Sequence, residues 1–184
     1  MTDREIISTS KFLSLILRHK PEKVGISLDA NGWVDVDVLI GAMNKHGRIT
    51  VTLDDIKDVV ITNDKQRFAF NDDYTKIRAN QGHSVSVDVE LEEVQPPSVL
   101  YHGTSSNSIE GIIAKGIMPG QRLHVHLSGD EETALKVGQR HGKPVALVIH
   151  AAEMHKDGHK FFKSANGVWL TAFVPVEYIH IAPY

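Results

Sequence analysis

Hydrophobic spacing changes along this chain from a helical period to a strand period, and the change falls near its middle. In residues 8–19, Phe12, Leu13, Ile16 and Leu17 recur at i, i+1, i+4 and i+5, which predicts a helix with one apolar face. Pro21 ends it, just after Arg18, His19 and Lys20. Residues 25–29 read as a short strand and Asn31-Gly32 as a turn. Asp35 can cap a second helix that carries Val38, Leu39 and Met43 and stops near His46-Gly47. Thr52-Leu53-Asp54-Asp55 resembles a capping box ahead of Ile56, Val59 and Val60. Residues 66–70 then alternate, Asn71-Asp72-Asp73 turns, and residues 76–79 return, which predicts a hairpin with Phe68 and Phe70 inward and Arg67 outward. Three short helices closed by a hairpin predict a winged-helix-like lobe.

Residues 80–84 are polar and contain Gly82, hence a loop. Residues 85–98 pass from alternation into acidic residues and then Pro96-Pro97, a strand running into a linker. This places one lobe over residues 1–95 and a second over 96–184. In the second, Val99-Leu100-Tyr101 is a strand that delivers His102 at its end, followed by Gly103, Thr104 and a helix over 107–115 that Gly116 stops. A strand over 123–128 holds His124-x-His126 and Ser128, and Ser128-Gly129-Asp130-Glu131 starts a helix that reaches His141-Gly142. The apolar run 145–149 is the expected central strand, residues 151–156 a helical turn, and 169–171 and 179–181 two further strands. The class is α+β, with a split sheet in the second lobe.

Charge changes this picture more than composition does. The net charge is −3, with 12 Lys and Arg against 16 Asp and Glu in residues 1–94 and 8 against 7 in residues 95–184. Neither half is the broadly basic body that favours non-specific nucleic-acid binding, so a polyanion would have to be gripped by a few concentrated cations. Absence of cysteine excludes disulfides, a thiolate nucleophile and a cysteine zinc site. No apolar run reaches the ~18 residues of a membrane span, and the first residues do not read as a signal peptide, so a cytoplasmic protein is expected, with no membrane and no obligate protein partner.

Arg18, His19 and Lys20 fit either a charged helix end or an anion site, and no Asp or Glu in residues 6–21 neutralises them. Eight of the eleven histidines lie in the second half. His124 and His126 suggest zinc, but no third ligand stands at a recognisable spacing, so no metal is expected. No P-loop, Gly-x-Gly-x-x-Gly or Gly-x-Ser-x-Gly motif is present. What remains is histidine used as a hydrogen-bonding group and arginine available for phosphate.

Five stretches then occur in order: Ser10-Lys11-Phe12-Leu13-Ser14 with Leu17-Arg18-His19, 63–68 around Arg67, 77–84 (Ile-Arg-Ala-Asn-Gln-Gly-His-Ser), His102-Gly103-Thr104, and 122–128 (Arg-Leu-His-Val-His-Leu-Ser). Together they resemble the NAD-dependent RNA 2′-phosphotransferase family, over nearly the whole chain. The resemblance implies an N-terminal winged-helix lobe for RNA and a C-terminal lobe of ADP-ribosyltransferase fold for NAD, which is consumed as co-substrate. It implies a catalytic tetrad of Arg18, His19, Arg67 and Arg122. It implies that NAD is held at His102, Gly103, Thr104, His126 and Ser128, with Val168 where many ADP-ribosyltransferases keep a glutamate. Lys11, Gln81, His83 and Ser84 are candidate contacts to the phosphate or RNA, although the last three equally suit a hydrogen-bonded loop. The implied substrate is RNA with an internal 2′-phosphate, such as spliced tRNA. The rival reading is an ADP-ribosyltransferase that modifies nucleic-acid phosphate ends or another acceptor without phosphate transfer.

Overall fold

Helix α1 spans Asp3–Arg18 and so begins five residues before the span 8–19 that the pattern predicts. A capping box explains the difference: the Thr2 hydroxyl accepts from the Glu5 amide at 3.3 Å, and the Glu5 carboxylate accepts from the Thr2 amide at 2.8 Å. Those polar residues carry no apolar period, so the pattern alone starts the helix too late. The structure, a computed structural model, describes residues 1–181, and the chain divides into two units, Met1–Glu90 and Leu91–Tyr184.

In the first unit a 3₁₀ turn, Pro21–Val24, follows α1. The strand expected over 25–29 does not form. Its backbone is spent on turns instead, the Ile26 amide on the Pro21 carbonyl and the Asp29 amide on the Trp33 carbonyl. Strand β1 (Val34–Asp35) runs straight into α2 (Val36–His46), where one Asp35 carboxylate oxygen accepts from the amides of Asp37 and Val38. Val38 is 54% exposed, so the buried stripe of α2 is Val36, Leu39 and Met43. Helix α3 (Leu53–Ile61) has the expected capping box between Thr52 and Asp55. Strands β2 (Phe68–Phe70) and β3 (Lys76–Ala79) form the hairpin, and β1 adds to β3 to give an antiparallel sheet ordered β1-β3-β2. The hairpin's first strand is shorter than expected because Gln66, at φ +44°, turns the chain before it. Leu13, Ile16, Leu17, Leu39, Ile56 and Ile77 fill the core between helices and sheet.

No strand occupies residues 85–91. That segment is pinned to the turn before β1, the Asp88 amide bonding the Ala30 carbonyl and the Asn31 side chain bonding the Asp88 carbonyl. The stretch read as a linker belongs to the second unit: β4 (Glu92–Glu93) pairs with Phe162 and Lys163, and Pro96 is buried.

The second unit continues with β5 (Leu100–Ser105), α4 (Ile109–Lys115), β6 (Val125–Leu127), α5 (Glu131–Gly138), β7 (Pro144–Ile149) and α6 (Ala151–Lys156). It closes with β8 (Phe161–Lys163), β9 (Trp169–Thr171) and β10 (Ile179–Ile181). Two antiparallel sheets result, β10-β7-β5 and β4-β8-β9-β6. Reciprocal bonds between Tyr101 and Ser128, at 2.9 and 2.7 Å, join β5 to the end of β6. Strand β7 is central to its sheet, but its burial alternates, so only one face reaches the core.

Three local readings change here. Strand β5 runs on through His102, Gly103 and Thr104, which are mid-strand residues. Residue His124 precedes β6, and its ring packs on Phe162 at 5.8 Å between centroids. Helix α5 is capped by Asp130, which accepts from the Thr133 amide at 2.7 Å, because the backbone of Ser128 is engaged by Tyr101. Helix α5 also lies directly on β5. A Cβ on Gly103 would run into the Ala134 carbonyl oxygen, and one on Gly138 into the Thr104 carbonyl oxygen. A glycine on each element, Gly103 against Ala134 and Gly138 against Thr104, sets this close approach, and no larger residue fits at either position. Among the described residues no helix is long and apolar enough to cross a membrane.

Candidate functional site

In the first unit one loop, residues 80–85, is hydrogen-bonded to the segments that carry three of the expected site residues, Arg18, His19 and Arg67. Arg18 ends α1 and is 9% exposed. Its carbonyl accepts from the amides of Ser84 at 2.9 Å and Val85 at 3.3 Å, which folds the 80–85 loop over the helix end. Gly82, at φ +89°, lies against the Arg18 guanidinium, and a Cβ there would come within 3.5 Å of its central carbon. His19 follows, with Nδ1 2.9 Å from the Ser84 hydroxyl. That contact holds one ring nitrogen of His19 against the 80–85 loop.

Arg67 is tied to the same loop by its backbone. Its amide donates to the Asn63 side chain at 3.3 Å, and Asn63 in turn donates to the Ser10 hydroxyl on α1 at 3.0 Å. Its carbonyl accepts from the Asn80 amide at 2.9 Å, while the Asn80 side chain donates to the Gln66 carbonyl at 2.6 Å. Asn80 therefore couples the Arg67 backbone to the loop that carries Gln81, Gly82, His83 and Ser84. Among the described residues no carboxylate forms a salt bridge with Arg67. A guanidinium left without an acid partner is disposed to take an anion. Lys11 is exposed on α1, seven residues before Arg18 and hence on the same side, ~10 Å away along the axis.

His83 is 2% exposed and its pKa falls to about 4, first through burial and then through Arg18, His19 and Arg78. It is neutral at ordinary pH and adds no charge to the cluster. Its Nε2 and the Gln81 side-chain oxygen are buried without a hydrogen-bond partner. Ser84, by contrast, is joined directly to His19.

The second unit assembles the other candidates around β5 and β6. His102 and Thr104 share one face of β5, and Gly103 and Ser105 share the other, toward α5. The space above Gly103 is therefore taken by the Ala134 carbonyl. His102 Nδ1 lies 3.0 Å from the His126 carbonyl oxygen. A carbonyl only accepts, so Nδ1 carries the proton and Nε2 presents a lone pair. Burial lowers the His102 pKa, against the opposing effect of that bond, and favours this neutral form. Arg122 Nη1 lies 3.1 Å from His126 Nδ1. Arginine only donates, so His126 Nδ1 is the acceptor, and the neutral ring carries its proton on Nε2. One acceptor at His102 and one donor at His126 are a fitting pair for ribose hydroxyls or a carboxamide.

Sequence reading missed Arg140. It stands in the 3₁₀ turn Gln139–His141 after α5. Partial desolvation and then its proximity lower the Arg122 pKa, so two guanidinium groups stand near each other in this unit. Nothing in the local pattern marks Arg140, since a cation near a helix end has a dipole explanation. Val168 sits in the β8–β9 turn, its amide bonding the Ser164 hydroxyl at 3.0 Å and its carbonyl the Ser164 amide at 2.9 Å. An aliphatic side chain there offers no general base. Among the described residues no group of three or more His, Asp or Glu could hold a metal ion.

Comparison with known proteins bears on what such a pair of sites serves. Residues 4–173 match the family described as RNA 2′-phosphotransferase, Tpt1 / KptA family. The chain is 51% identical to a probable RNA 2′-phosphotransferase of Hahella chejuensis, over 97% of this chain and 96% of that protein. It is 49% identical to one of Streptomyces coelicolor over the full length of both, and 52% identical to one of Escherichia coli over 96% of each.

Proposed function

The chain belongs to the Tpt1 / KptA family of RNA 2′-phosphotransferases, transferases that remove a 2′-phosphate from RNA, and from that premise we propose that it uses NAD as co-substrate in two steps. In the first, an oxygen of the internal RNA 2′-phosphate attacks the anomeric carbon of the nicotinamide ribose, and the bond to nicotinamide breaks. In the second, the neighbouring ribose 2″-hydroxyl attacks phosphorus, and the bond to the RNA 2′-oxygen breaks as that oxygen takes a proton. The products are 2′-hydroxyl RNA, nicotinamide and ADP-ribose 1″,2″-cyclic phosphate. The first unit acts as a winged-helix RNA lobe and the second as an ADP-ribosyltransferase lobe, in the cytoplasm.

One observation carries this reading. The 80–85 loop is bonded to the backbones of Arg18 and Arg67 and to the His19 ring, so the segments that carry these three residues, expected from motif order alone, are held to one loop. In the proposed division of labour those three residues hold the 2′-phosphate. The nucleophile of the first step is already anionic, so positioning accounts for most of the effect there. The second step gathers charge on phosphorus, where fixed guanidinium groups stabilise most. Arg122 is assigned to that step, with Arg140 beside it.

The residues around β5 and β6 fit NAD by their donor set. His102 Nε2 accepts, His126 Nε2 donates, and Thr104 and Ser128 supply hydroxyls, which suits ribose and carboxamide groups. They bind and orient, and none need move a proton. His19 is the residue placed to donate to phosphate. The test is a short RNA with one internal 2′-phosphate, incubated with and without NAD. NAD-dependent phosphate loss with release of nicotinamide and the cyclic phosphate supports the proposal. A stable ADP-ribosylated RNA without cyclic phosphate would favour the rival transferase, and an untouched substrate would reject both.

A further inference from the structure

We propose that the cleft between the middle of α1 and the C-terminal end of α2 is a second RNA site in the first unit, taking a nucleotide of the RNA body away from the reacting phosphate. It rests on the reading of RNA as the substrate. The cleft has a volume of about 420 Å³, within the range of small-ligand sites. Lys23, His46 and Arg48 line it, with Phe12, Met43 and Ile49 on its apolar side. No Asp or Glu is among the lining residues.

All three residues are exposed, and among the described residues none of them forms a salt bridge. Compensation of the α2 dipole accounts for His46 and its neighbour Lys45, which sit in the last turn. It does not account for Lys23, which belongs to the 3₁₀ turn after α1, or for Arg48, which lies beyond the Gly47 cap. Convergence of cations from separate elements over an apolar surface suits a nucleotide, with phosphate on Lys23 and Arg48 and the base against Phe12.

Charge elsewhere in the unit selects the same side. Residues 1–90 hold 12 Lys and Arg against 14 Asp and Glu, so the unit as a whole does not attract RNA. A second hollow, between α3 and the β2–β3 turn, has Lys57 and Asp72 in its lining with Ile61, Phe70 and Tyr74, and Asp54, Asp55, Asp58 and Asp73 occupy the same elements, so acids outnumber cations there. A phosphate backbone is repelled from that region and accepted at the cleft. Lys23 is five residues beyond Arg18, so their Cα atoms are at most ~19 Å apart. At ~3.4 Å of rise per nucleotide in a stacked strand, at most about six nucleotides bridge the two.

The experiment compares wild type with the Lys23→Ala/Arg48→Ala variant on two RNAs carrying the same internal 2′-phosphate, a dinucleotide and a 20-mer. The expected result is a KM for the 20-mer raised about tenfold with kcat unchanged, and dinucleotide kinetics unaltered. Equilibrium binding of an unphosphorylated 20-mer, followed by fluorescence anisotropy, should lose about 1.4 from its slope of log affinity against log salt, at ~0.7 per cation on a single strand. An unchanged 20-mer KM and salt slope overturns the proposal, and so does a loss shared equally by the dinucleotide. If wild type removes no phosphate at all, the functional reading fails, and the salt slope still decides the cleft. Both residues are exposed, and an unchanged thermal midpoint confirms that the variant is folded.

Discussion

Acid should unfold the first unit through His83, and the size of the effect follows from its surroundings. The ring is 2% exposed, and burial, then Arg18, His19 and Arg78, hold its pKa at about 4. In the unfolded chain the same ring titrates near 6.5. Between those values the unfolded state binds the extra proton and the native state does not, so stability falls as pH falls. The loss begins below about pH 6.5 and is complete near pH 4. At 1.36 kcal/mol per pH unit, the interval corresponds to about 3 kcal/mol. With m near 1.5 kcal/mol per molar urea, the midpoint should drop by about 2 M.

The assay is urea unfolding at several pH values between 7 and 4, for wild type and His83→Asn. The variant lacks the titrating ring, so whatever it loses at pH 7, its stability should rise by about 3 kcal/mol relative to wild type as pH falls. Other carboxylates and histidines titrate in both proteins and cancel in the difference. A gap between the two that stays constant from pH 7 to 4 would refute the reasoning. So would an NMR titration in which the His83 ring shifts with a midpoint above 6 in the native protein.

Three further perturbations separate packing from chemistry. Gly103→Ala forces the new Cβ into the Ala134 carbonyl and should cost about 3 kcal/mol, a fall of more than 10 °C in the melting midpoint of the second unit, whereas Gly129→Ala, where nothing lies within 4 Å, should leave it within a degree or two. Calorimetry distinguishes them. Ser84→Ala removes the partner of His19 Nδ1 and should lower kcat about tenfold with little change in stability, the effect of one charge-assisted hydrogen bond; an unaltered kcat would remove Ser84 from the phosphate cluster. Arg67→Ala or Arg122→Ala should slow the second step by about 10²–10³ and let ADP-ribosylated RNA accumulate in single-turnover reactions. Equal loss of both steps, with no intermediate, counts against the division of labour.

Much of the first unit was legible because its signals are local. Asp35 and the Thr52–Asp55 box sit directly before the helices they cap, and a hairpin of alternating residues around Asn71-Asp72-Asp73 needs no distant partner to be read. The failures were also local, but of another kind. Residues 25–29 have strand-like composition, yet their amides are taken by Pro21 and Trp33, and which amides a turn consumes is not visible in side-chain pattern. Strand β8 was missed because three residues, Phe161–Lys163, cannot display a period. Residues 85–91 alternate like a strand, but their polar backbone is fastened to the 30–31 turn, a contact between segments far apart in the chain.

The candidate residues were named from type and motif order, and what the sequence could not supply was which ring nitrogen of each histidine accepts and which donates. His102 and His126 looked alike, two histidines on neighbouring strands. The structure makes one an acceptor and the other a donor, because a carbonyl can only accept and a guanidinium can only donate. Gly103 looked like a place for a ligand to approach the backbone, and the Ala134 carbonyl already occupies that approach. Its neighbours His102 and Thr104 lie on the opposite face of β5. The glycine still serves the site, since seating α5 hard against β5 fixes the strand that carries both side chains and places Arg140 at the end of that helix. A substitution at Gly103 should therefore lower stability before it alters nucleotide affinity, and that order of effects distinguishes a residue that builds a site from one that touches the ligand.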